Sequence, residues 1–418
     1  MSESSLDSDA QSLLQHWSRT LEMEPLLRSR VGGVVPAGGI DLVAMGKASR
    51  EMAHAARGVW GERVRRQLIV SEIALEDDGP ATLVGEHPIP GARSERAGQS
   101  LIDFLRAPSD AVTTVFLVSG GASSLCVAPA APLTVDRLRD VWDATTAAGF
   151  DITRLNTLRA ATSLISGGGV LRHVRTPETV GVVLVDNAIS GAPWVASGLT
   201  YDHVVTRENL ESLLDSAGVE ATPLGTTLRE AASTREEWMK EPPRTRVRNV
   251  VLAEPATVLD LTVAAARDLG YYVVSLGSQI DGSVEDVARR WTELLDEFVD
   301  HEGPVCVVGV GEVLVQLRGS GLGGRCQEFA WAMMPVLAEY ERRAIFVASS
   351  TDGRDFVEGV AGARVTTDSL ARAASSGVDW ARVADENDTY HGHQRLGQLI
   401  AGGHTGWNLC DLYVALVR

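Results

Sequence analysis

The sequence lacks a surplus of basic residues, a long apolar run and a clustered set of cysteines. Its formal net charge of −17 leaves no excess positive charge to neutralise the phosphates of nucleic acids or anionic membranes. No apolar run reaches membrane-spanning length, and the N-terminal region carries no signal-peptide pattern. The four cysteines are far apart, which argues against a zinc ribbon and a disulfide framework. We therefore expect a cytoplasmic globular protein with no nucleic-acid or membrane partner.

Lysine is nearly absent as well. Lys47 and Lys240 are the only lysines among 38 basic residues. Lys47 follows the apolar segment 40–45 and Gly46, and it precedes a segment with helical spacing. A lysine is usually a surface residue whose stem packs on apolar neighbours, but one retained at the end of a strand favours a functional role. The loop is not a Walker A loop, because Asp41 stands where that motif requires a glycine.

The length and the order of apolar segments predict the fold class. A chain of 418 residues is too long for one typical core. Strand-like and helical segments alternate, which predicts an α/β protein of two domains, each a mostly parallel sheet flanked by helices. The polar, charged segment 233–248 has the composition of a linker. The predicted domains are residues 1–232 and 249–418.

A glycine-rich stretch lies between a predicted strand and a predicted helix. The strand covers 305–308, a second short strand covers 313–317, and the helix covers 326–341. Glycines before a helix N-terminus expose N–H groups where the helix dipole favours an anion, and Arg325 adds a fork of donors. The alternative is a tight hairpin followed by a charged helix cap. With Glu312 nearby, we predict a phosphate site.

Three further segments carry polar residues at the ends of predicted strands or on helices. Ser119 to Ser123 form a loop of small residues after a buried strand, which is typical of a ligand loop, although a tight turn is the alternative. A predicted helix carries Asn156 and Arg159. Asp186 follows a buried strand, where it could cap a turn or hold a metal.

His391, His393 and His404 lack the ligand spacing of a metal site and are interpreted as loop or surface residues.

Together these motifs resemble the class II glycerate 2-kinase family, which combines an N-terminal glycerate-kinase domain with a C-terminal MOFRL domain. The matching segments, in chain order, are Gly46-Lys47-Ala48, Ser119-Gly120-Gly121-Ala122-Ser123, Asn156…Arg159…Gly167-Gly168, Asp186, Ala196-Ser197-Gly198, Gly311-Glu312, Gly323-Gly324-Arg325-x-Gln327-Glu328 and Thr351-Asp352-Gly353-x-Asp355. The resemblance implies phosphorylation of a hydroxyl group of glycerate by ATP and Mg²⁺, in a cleft between the two domains.

The resemblance also implies residue roles. Lys47 and Arg325 would be catalytic, because they would neutralise the transferring phosphoryl group. Asp186, Glu312 and Asp352 would hold Mg²⁺. The implied cofactor-binding residues are Gly46, Ser119, Gly120, Gly121, Ala122, Ser123, Asn156, Arg159, Gly323 and Gly324. The expected partner is a small-molecule substrate, with a homodimer as the candidate assembly.

Some positions depart from the family pattern. Ala160, Ala161 and Ser166 stand where the family has Lys, His and Lys, and the Gly-Asp pair expected at 189–190 is Ile-Ser. Trp407 adds an aromatic residue. These departures imply a bulkier or less charged substrate than glycerate. The alternative is a family member that has lost or changed phosphoryl transfer and binds or converts a different small anionic or larger apolar metabolite.

Overall fold

The computed structural model describes residues 3–73, 82–187, 190–298 and 300–418. Of the departure at Ile189-Ser190, Ile189 lies outside the described residues. The chain forms two compact units. The first unit comprises Met23–Val185 and Ser190–Leu252, and the second comprises Met1–Glu22, Asp186–Ile189 and Ala253–Arg418.

The elements alternate along the chain, as expected for the α/β class. The strands are β1 (Ile40–Met45), β2 (Val64–Ser71), β3 (Thr82–Val84), β4 (Thr113–Val118), β5 (Glu178–Leu184), β6 (Arg246–Ala253), β7 (Tyr272–Ser275), β8 (Ile280–Ser283), β9 (Val305–Leu314), β10 (Ala344–Ser350), β11 (Val360–Thr366), β12 (Leu399–Ala401) and β13 (Asp411–Val417). The α-helices are α1 (Glu3–Thr20), α2 (Met23–Val31), α3 (Ser49–Trp60), α4 (Ala92–Arg106), α5 (Ala122–Leu125), α6 (Val135–Ala147), α7 (Ile152–Thr162), α8 (Arg207–Ser216), α9 (Pro223–Met239), α10 (Pro255–Asp268), α11 (Val284–Asp296), α12 (Arg325–Ala338), α13 (Ser369–Ser375), α14 (Trp380–Asp385) and α15 (Thr389–Leu396).

The sheet of the first unit has the order β3-β2-β1-β4-β5-β6. Strands β1 to β5 pair in parallel. All residues of β1 and β4 are buried, because helices cover both faces of such a sheet and favour continuous apolar strands. Met45 pairs with Val118 at the last position of both strands. The loops that follow β1 and β4 therefore begin side by side.

The sheet of the second unit is mixed. Its order is β12-β11-β10-β13-β9-β7, and β8 also pairs with β9. β7 and β8 run parallel to β9, whereas β13 lies antiparallel between β9 and β10. The predicted α/β class is confirmed. In this sheet β13 pairs antiparallel with β9 and β10, and β11 pairs antiparallel with β10 and β12.

β9 is one continuous strand, so the predicted division into two short strands is wrong. Gly309 and Gly311 suggested a break, but they are strand residues that allow close packing. A Cβ at Gly311 would lie 2.1 Å from the carbonyl oxygen of Ile280, and one at Gly309 would lie 3.2 Å from the ring of Trp291. The glycines thus let β8 and α11 approach β9.

The predicted linker at 233–248 is also wrong. Its first half belongs to α9, where Arg235 is buried, and its second half begins β6. β6 is polar because it is the edge strand of its sheet, and its exposed arginines Arg246 and Arg248 face Glu178. Charged side chains are common on edge strands. The composition of this edge strand is therefore similar to that of a linker, which explains the wrong prediction.

The domain prediction of 1–232 also differs from the structure at its start, because α1 belongs to the second unit. Leu13 of α1 is fully buried. Asp7 pairs with Arg364, and Asp9 accepts a hydrogen bond from Tyr271. No helix in the described parts of the chain is long and apolar enough to cross a membrane.

Candidate active site

The loops after β1 and β4 of the first unit are hydrogen-bonded to each other. The N–H of Lys47 donates to the carbonyl oxygen of Gly120 (2.9 Å), and the N–H of Ala48 donates to the hydroxyl of Ser119 (3.0 Å). Gly46 has a φ of +115°, and a Cβ there would lie 2.3 Å from Ser119 Oγ. Glycine is therefore required at position 46, and Ser119 is a buried support of the loop rather than a ligand contact.

Two cationic side chains of the first unit have no partner within the described residues. Lys47 and Arg159 are partly buried, and neither side chain makes a hydrogen bond or ion pair there. Burial lowers the pKa of Arg159 to about 10. Burying a charged group without a partner costs free energy, so this arrangement favours an anionic ligand.

His87 lies beside these two cations. Burial lowers its pKa, as do the charges of Lys47 and Arg159, whereas Glu72 opposes the shift. A Cβ at Gly121 would lie 3.3 Å from Lys47 Cγ and 3.4 Å from His87 Cδ2. The neighbouring histidine is therefore held towards its neutral form, because the surroundings already carry positive charge. The sequence analysis missed His87.

A chain of hydrogen bonds supports the loop after β4. The hydroxyls of Ser123 and Ser197 are 2.8 Å apart, and Ser197 donates to Asn156 Oδ1 (2.9 Å). Ala196 and Ser197 both have a φ of +53°, a conformation that non-glycine residues rarely adopt and that occurs often at functional sites. Asn156 is buried and also donates to the carbonyl of Trp194. Its predicted cofactor contact is corrected to a supporting role behind Ser123.

The backbone of Gly121, Ala122 and Ser123 faces the same neighbourhood. Ala122 and Ser123 are the first residues of α5, so their N–H groups have no acceptor within the helix. Gly121 has a φ of +83°, which only glycine adopts readily. The side chains of Lys47 and His87 contact this turn. These groups can therefore bind an anion together, as the sequence predicted for this loop.

Ala160 and Ala161 do not face a ligand. They are 0% and 4% exposed, and Ala161 packs in the core formed with α8 and α9. Arg235 of α9 is buried next to them and donates to the carbonyls of Ser163 and Gly167. Both positions are core positions in this fold, so these two alanines give no support to the expectation of a bulkier or less charged substrate.

In the second unit, Arg325 is held by two carboxylates. Its guanidinium donates to Glu312 Oε1 (2.7 Å) and to both oxygens of Asp411. The Asp411 side chain is fully buried. Burial lowers the pKa of Arg325, but Asp411 and Glu312 outweigh this effect and raise it. Arg325 therefore has a structural role, and the sequence analysis missed Asp411 as its partner.

The N-terminus of α12 is capped by the protein itself. The N–H groups of Cys326 and Gln327 donate to the two carboxylate oxygens of Asp355 (3.1 and 2.9 Å). A Cβ at Gly324 would lie 2.3 Å from Asp355 Oδ1, and one at Gly323 would lie 2.2 Å from Thr389 Oγ1. The prediction of a phosphate site here, with Gly323 and Gly324 binding the cofactor, is wrong because a carboxylate already occupies the helix end.

The predicted magnesium ligands are not assembled into one group. Asp352 Oδ1 accepts hydrogen bonds from Ser350 and from the N–H of Arg354, and Glu312 binds Arg325. Asp186 lies near Cys410, whose sulfur is 3.4 Å from the Asp186 carbonyl oxygen. Within the described residues, no three His, Cys, Asp or Glu side chains come together as a metal site.

The three C-terminal histidines differ in their surroundings. His391 is exposed and lies 2.6 Å from Asp388. His393 is fully buried and bonded to Gln398 and to the carbonyl of Gln327. His393 is therefore a core residue of α15 rather than the surface residue that the sequence suggested.

Comparison with known proteins agrees with this architecture. Residues 11–230, just over half of the chain, match a family model described as a domain of unknown function (DUF4147), and residues 305–411 match the MOFRL family. A D-glycerate 2-kinase of Thermotoga maritima is 26% identical over 388 residues and covers 90% of both chains. A putative hydroxypyruvate reductase of Agrobacterium vitis is 29% identical over 397 residues, which is 91% of this chain and 88% of the relative.

A crystal structure of glycerate kinase from Thermotoga maritima has the same fold. It superposes with a TM-score of 0.86 at 24% identity and covers 99% of this chain and 100% of that one. The two matched domains and these relatives define a class of two-domain α/β proteins whose members include proteins named glycerate kinase and putative hydroxypyruvate reductase. The chain belongs to the class II glycerate 2-kinase family.

Proposed function

We propose that the protein is an ATP-dependent kinase that phosphorylates a hydroxyl group of glycerate or of a related hydroxy acid. The observation that carries the proposal is that two cations of the first unit, Lys47 and Arg159, have no partner among the described residues. Both flank a loop with N–H groups available for an anion. Phosphoryl transfer needs positioning and charge neutralisation more than covalent chemistry, and these residues supply both.

The residues of the first unit divide into two roles in this proposal. Lys47 is a point charge at the carboxyl end of β1, so it neutralises charge on the transferring phosphoryl group. Arg159 offers a planar fork that matches a carboxylate, so it binds the acid group of the acceptor. Asn156, Ser197 and Ser119 act through the loop that they support.

The carboxylates of the second unit suit magnesium in kind, because Mg²⁺ prefers oxygen ligands. They do not form a set of three among the described residues, so no step is assigned to a metal held by the protein alone. One or two carboxylates of the protein would be enough to hold Mg²⁺ bound with ATP, because phosphate oxygens would supply further ligands. Glu312, Asp186 and Asp352 are the candidates, and Arg325 orients Glu312.

A reductase is a second candidate, because one relative is named for that activity. The spacing G-x-G-x-x-G of dinucleotide-binding loops occurs at 319–324, between β9 and α12. In the structure this loop is packed against residues of the same unit: the N–H of Gly321 donates to the carbonyl of Glu386. Asp355 caps the helix that would receive a pyrophosphate. The geometry therefore favours the kinase.

The direct experiment measures ADP release from ATP and glycerate with excess Mg²⁺, and separately NADH and NADPH oxidation with hydroxypyruvate. The proposal expects ADP release that depends on the acceptor and stops when EDTA removes the metal. Oxidation of either nicotinamide without ADP release would establish the reductase instead. Binding of hydroxy acids without either reaction would support the alternative of a family member that has lost phosphoryl transfer.

A further inference from the structure

An apolar pocket lies beside Arg159 in the first unit. It has a volume of about 50 Å³. Its polar rim contains Ser123, Arg159 and Ser166, all within the neighbourhood already described. Its walls are mainly apolar side chains of α6, α7 and the segment before α6: Val127, Leu138, Val141, Trp142, Leu155 and Leu158.

The combination of rim and walls specifies a ligand with two parts. Arg159 has no partner among the described residues, so an anionic group compensates its charge. Thr162 and Ser163 also line the pocket, but their hydroxyls already donate to the carbonyl oxygens of Leu158 and Ala128. The part of the ligand that lies against the walls therefore gains by being apolar. A carboxylate with a small alkyl group next to it satisfies both conditions, whereas a second hydroxyl in the pocket would lose its hydrogen bonds to water.

The volume limits the size of the alkyl group. In the measure that gives about 50 Å³ for this pocket, one water molecule needs about 10–15 Å³, so the pocket accepts only a small alkyl group of a few carbon atoms. We propose that the natural acceptor is a hydroxy acid that carries a methyl or ethyl branch, with its carboxylate on Arg159 and its branch in this pocket. The proposal rests on the proposed function for the hydroxyl and phosphoryl chemistry, and it adds the class of acceptor.

This inference does not depend on the Lys and His that the family has at positions 160 and 161, because Ala160 and Ala161 are buried. Both alanines lie outside the pocket, and Ser166 is the only one of the three departing positions on its rim. Specificity for a branched acid therefore depends on the apolar walls. Leu138 is a suitable position to test, because it is partly buried and belongs to the wall.

The experiment compares glycerate with 2-methylglycerate and 3-methylglycerate on the full chain. Dissociation constants are measured by calorimetry without ATP, and kcat/KM by ADP release. A methyl group that fills an apolar pocket is expected to improve binding about 10-fold or more. Leu138→Phe should remove at least most of this advantage. Leu224→Phe is the matched control, because Leu224 packs partly buried on the same core without lining the pocket.

The binding arm separates this inference from the proposed function. Tighter binding of a methyl homologue, lost in Leu138→Phe and kept in Leu224→Phe, supports the pocket assignment even if no acid is phosphorylated. Equal or tighter binding of glycerate by the unchanged protein overturns the assignment, even if glycerate is phosphorylated. Arg159→Gln should weaken binding of all three acids, and undiminished binding would also overturn it. If Leu138→Phe fails to fold, the comparison of the three acids on the unchanged protein still decides.

Discussion

At the scale of single residues, the two clusters differ in whether their charges are paired. Arg325 has two carboxylate partners, whereas Lys47 and Arg159 have none among the described residues. A paired guanidinium mainly holds its partners in place, and an unpaired one is available for a ligand. Arg325, predicted to be catalytic, is therefore held by partners of its own unit, whereas Arg159, predicted to bind the cofactor, is available for a ligand.

Replacing Lys47 by methionine should lower kcat/KM by about 10²–10³-fold, the usual cost of losing one donor to transition-state charge. Stability should change little, because the Lys47 side chain has no ion pair within the described residues. Lys240→Met is a matched control, since Lys240 is an exposed lysine that pairs with Glu237 three residues away. Comparable kcat/KM in the two variants, measured by ADP release, would contradict the role of Lys47.

Replacing Arg325 by glutamine should reduce the free energy of unfolding by about 3 kcal/mol, because it leaves the buried carboxylate of Asp411 without its partner. The value lies at the lower end of the usual range because Arg325 is 36% exposed. Arg318→Gln breaks an exposed pair with Glu285 and should cost less than about 1 kcal/mol. Urea denaturation measures both, and equal losses would show that Asp411 does not depend on Arg325.

At the scale of elements, the start of α12 shows how one helix end can be closed to ligands. The carboxylate of Asp355 accepts hydrogen bonds from the N–H groups of Cys326 and Gln327. Glu328 follows in the first turn of α12, and its carboxylate accepts a hydrogen bond from the hydroxyl of Thr389 (3.0 Å). Burial raises the pKa of Glu328 to about 7, although its hydrogen bonds oppose the shift. A second buried carboxylate at this end leaves no electrostatic preference for phosphate.

The raised pKa of Glu328 predicts a pH dependence of stability. The folded state binds this proton more tightly than the unfolded state, so the stability from this group is present below about pH 4.5 and is lost as the pH rises towards about 7. The loss should be on the order of 2 kcal/mol. Glu328→Gln should remove this part of the pH dependence.

Glu339→Gln is the control for this measurement, because Glu339 is an exposed carboxyl at the other end of α12. Denaturation curves between pH 4 and 8 give the difference between each variant and the unchanged protein. A Glu328→Gln variant that keeps the full pH dependence would show that the carboxyl titrates normally in the folded state.

At the scale of the whole molecule, the second unit is built from segments that are far apart in the chain. α1 packs on α10, β10 and β13 of that unit. Tyr271 and Arg418 both contact Asp9. Helix α1 therefore packs in a core with α10, β10 and β13, which lie more than two hundred residues later in the chain. If α1 is lost, no neighbouring segment of the chain can take its place in that core.

Replacing Leu13 by alanine should destabilise the second unit by about 2–5 kcal/mol, the usual range for a fully buried leucine. Leu14 is the neighbouring residue on the same helix and is only partly buried, so Leu14→Ala should cost clearly less. Scanning calorimetry measures the shift of each transition. Equal shifts for the two variants would mean that α1 does not form part of this core.

The sequence by itself determined the alternation of strands and helices, the α/β class and the family. It also determined the position of Gly46-Lys47 and of the Ser119 to Ser123 loop at strand ends. These features are local, because apolar periodicity and small residues act within a few positions of the chain. The neighbouring strands then bring the two loops together, as expected of a parallel sheet.

The tertiary structure alone decided which polar groups already have partners. Arg325 and Asp411 are 86 residues apart, and Asp355 caps a helix that begins 30 residues before it in the chain. The burial of Ala160 and Ala161 beside Arg235 depends on the packing of α9. Contacts of this kind join distant segments, so neither composition nor spacing encodes them. They explain why the first N–H groups of α12 already have an acceptor in Asp355, and why Lys47 and Arg159 are left without a partner among the described residues.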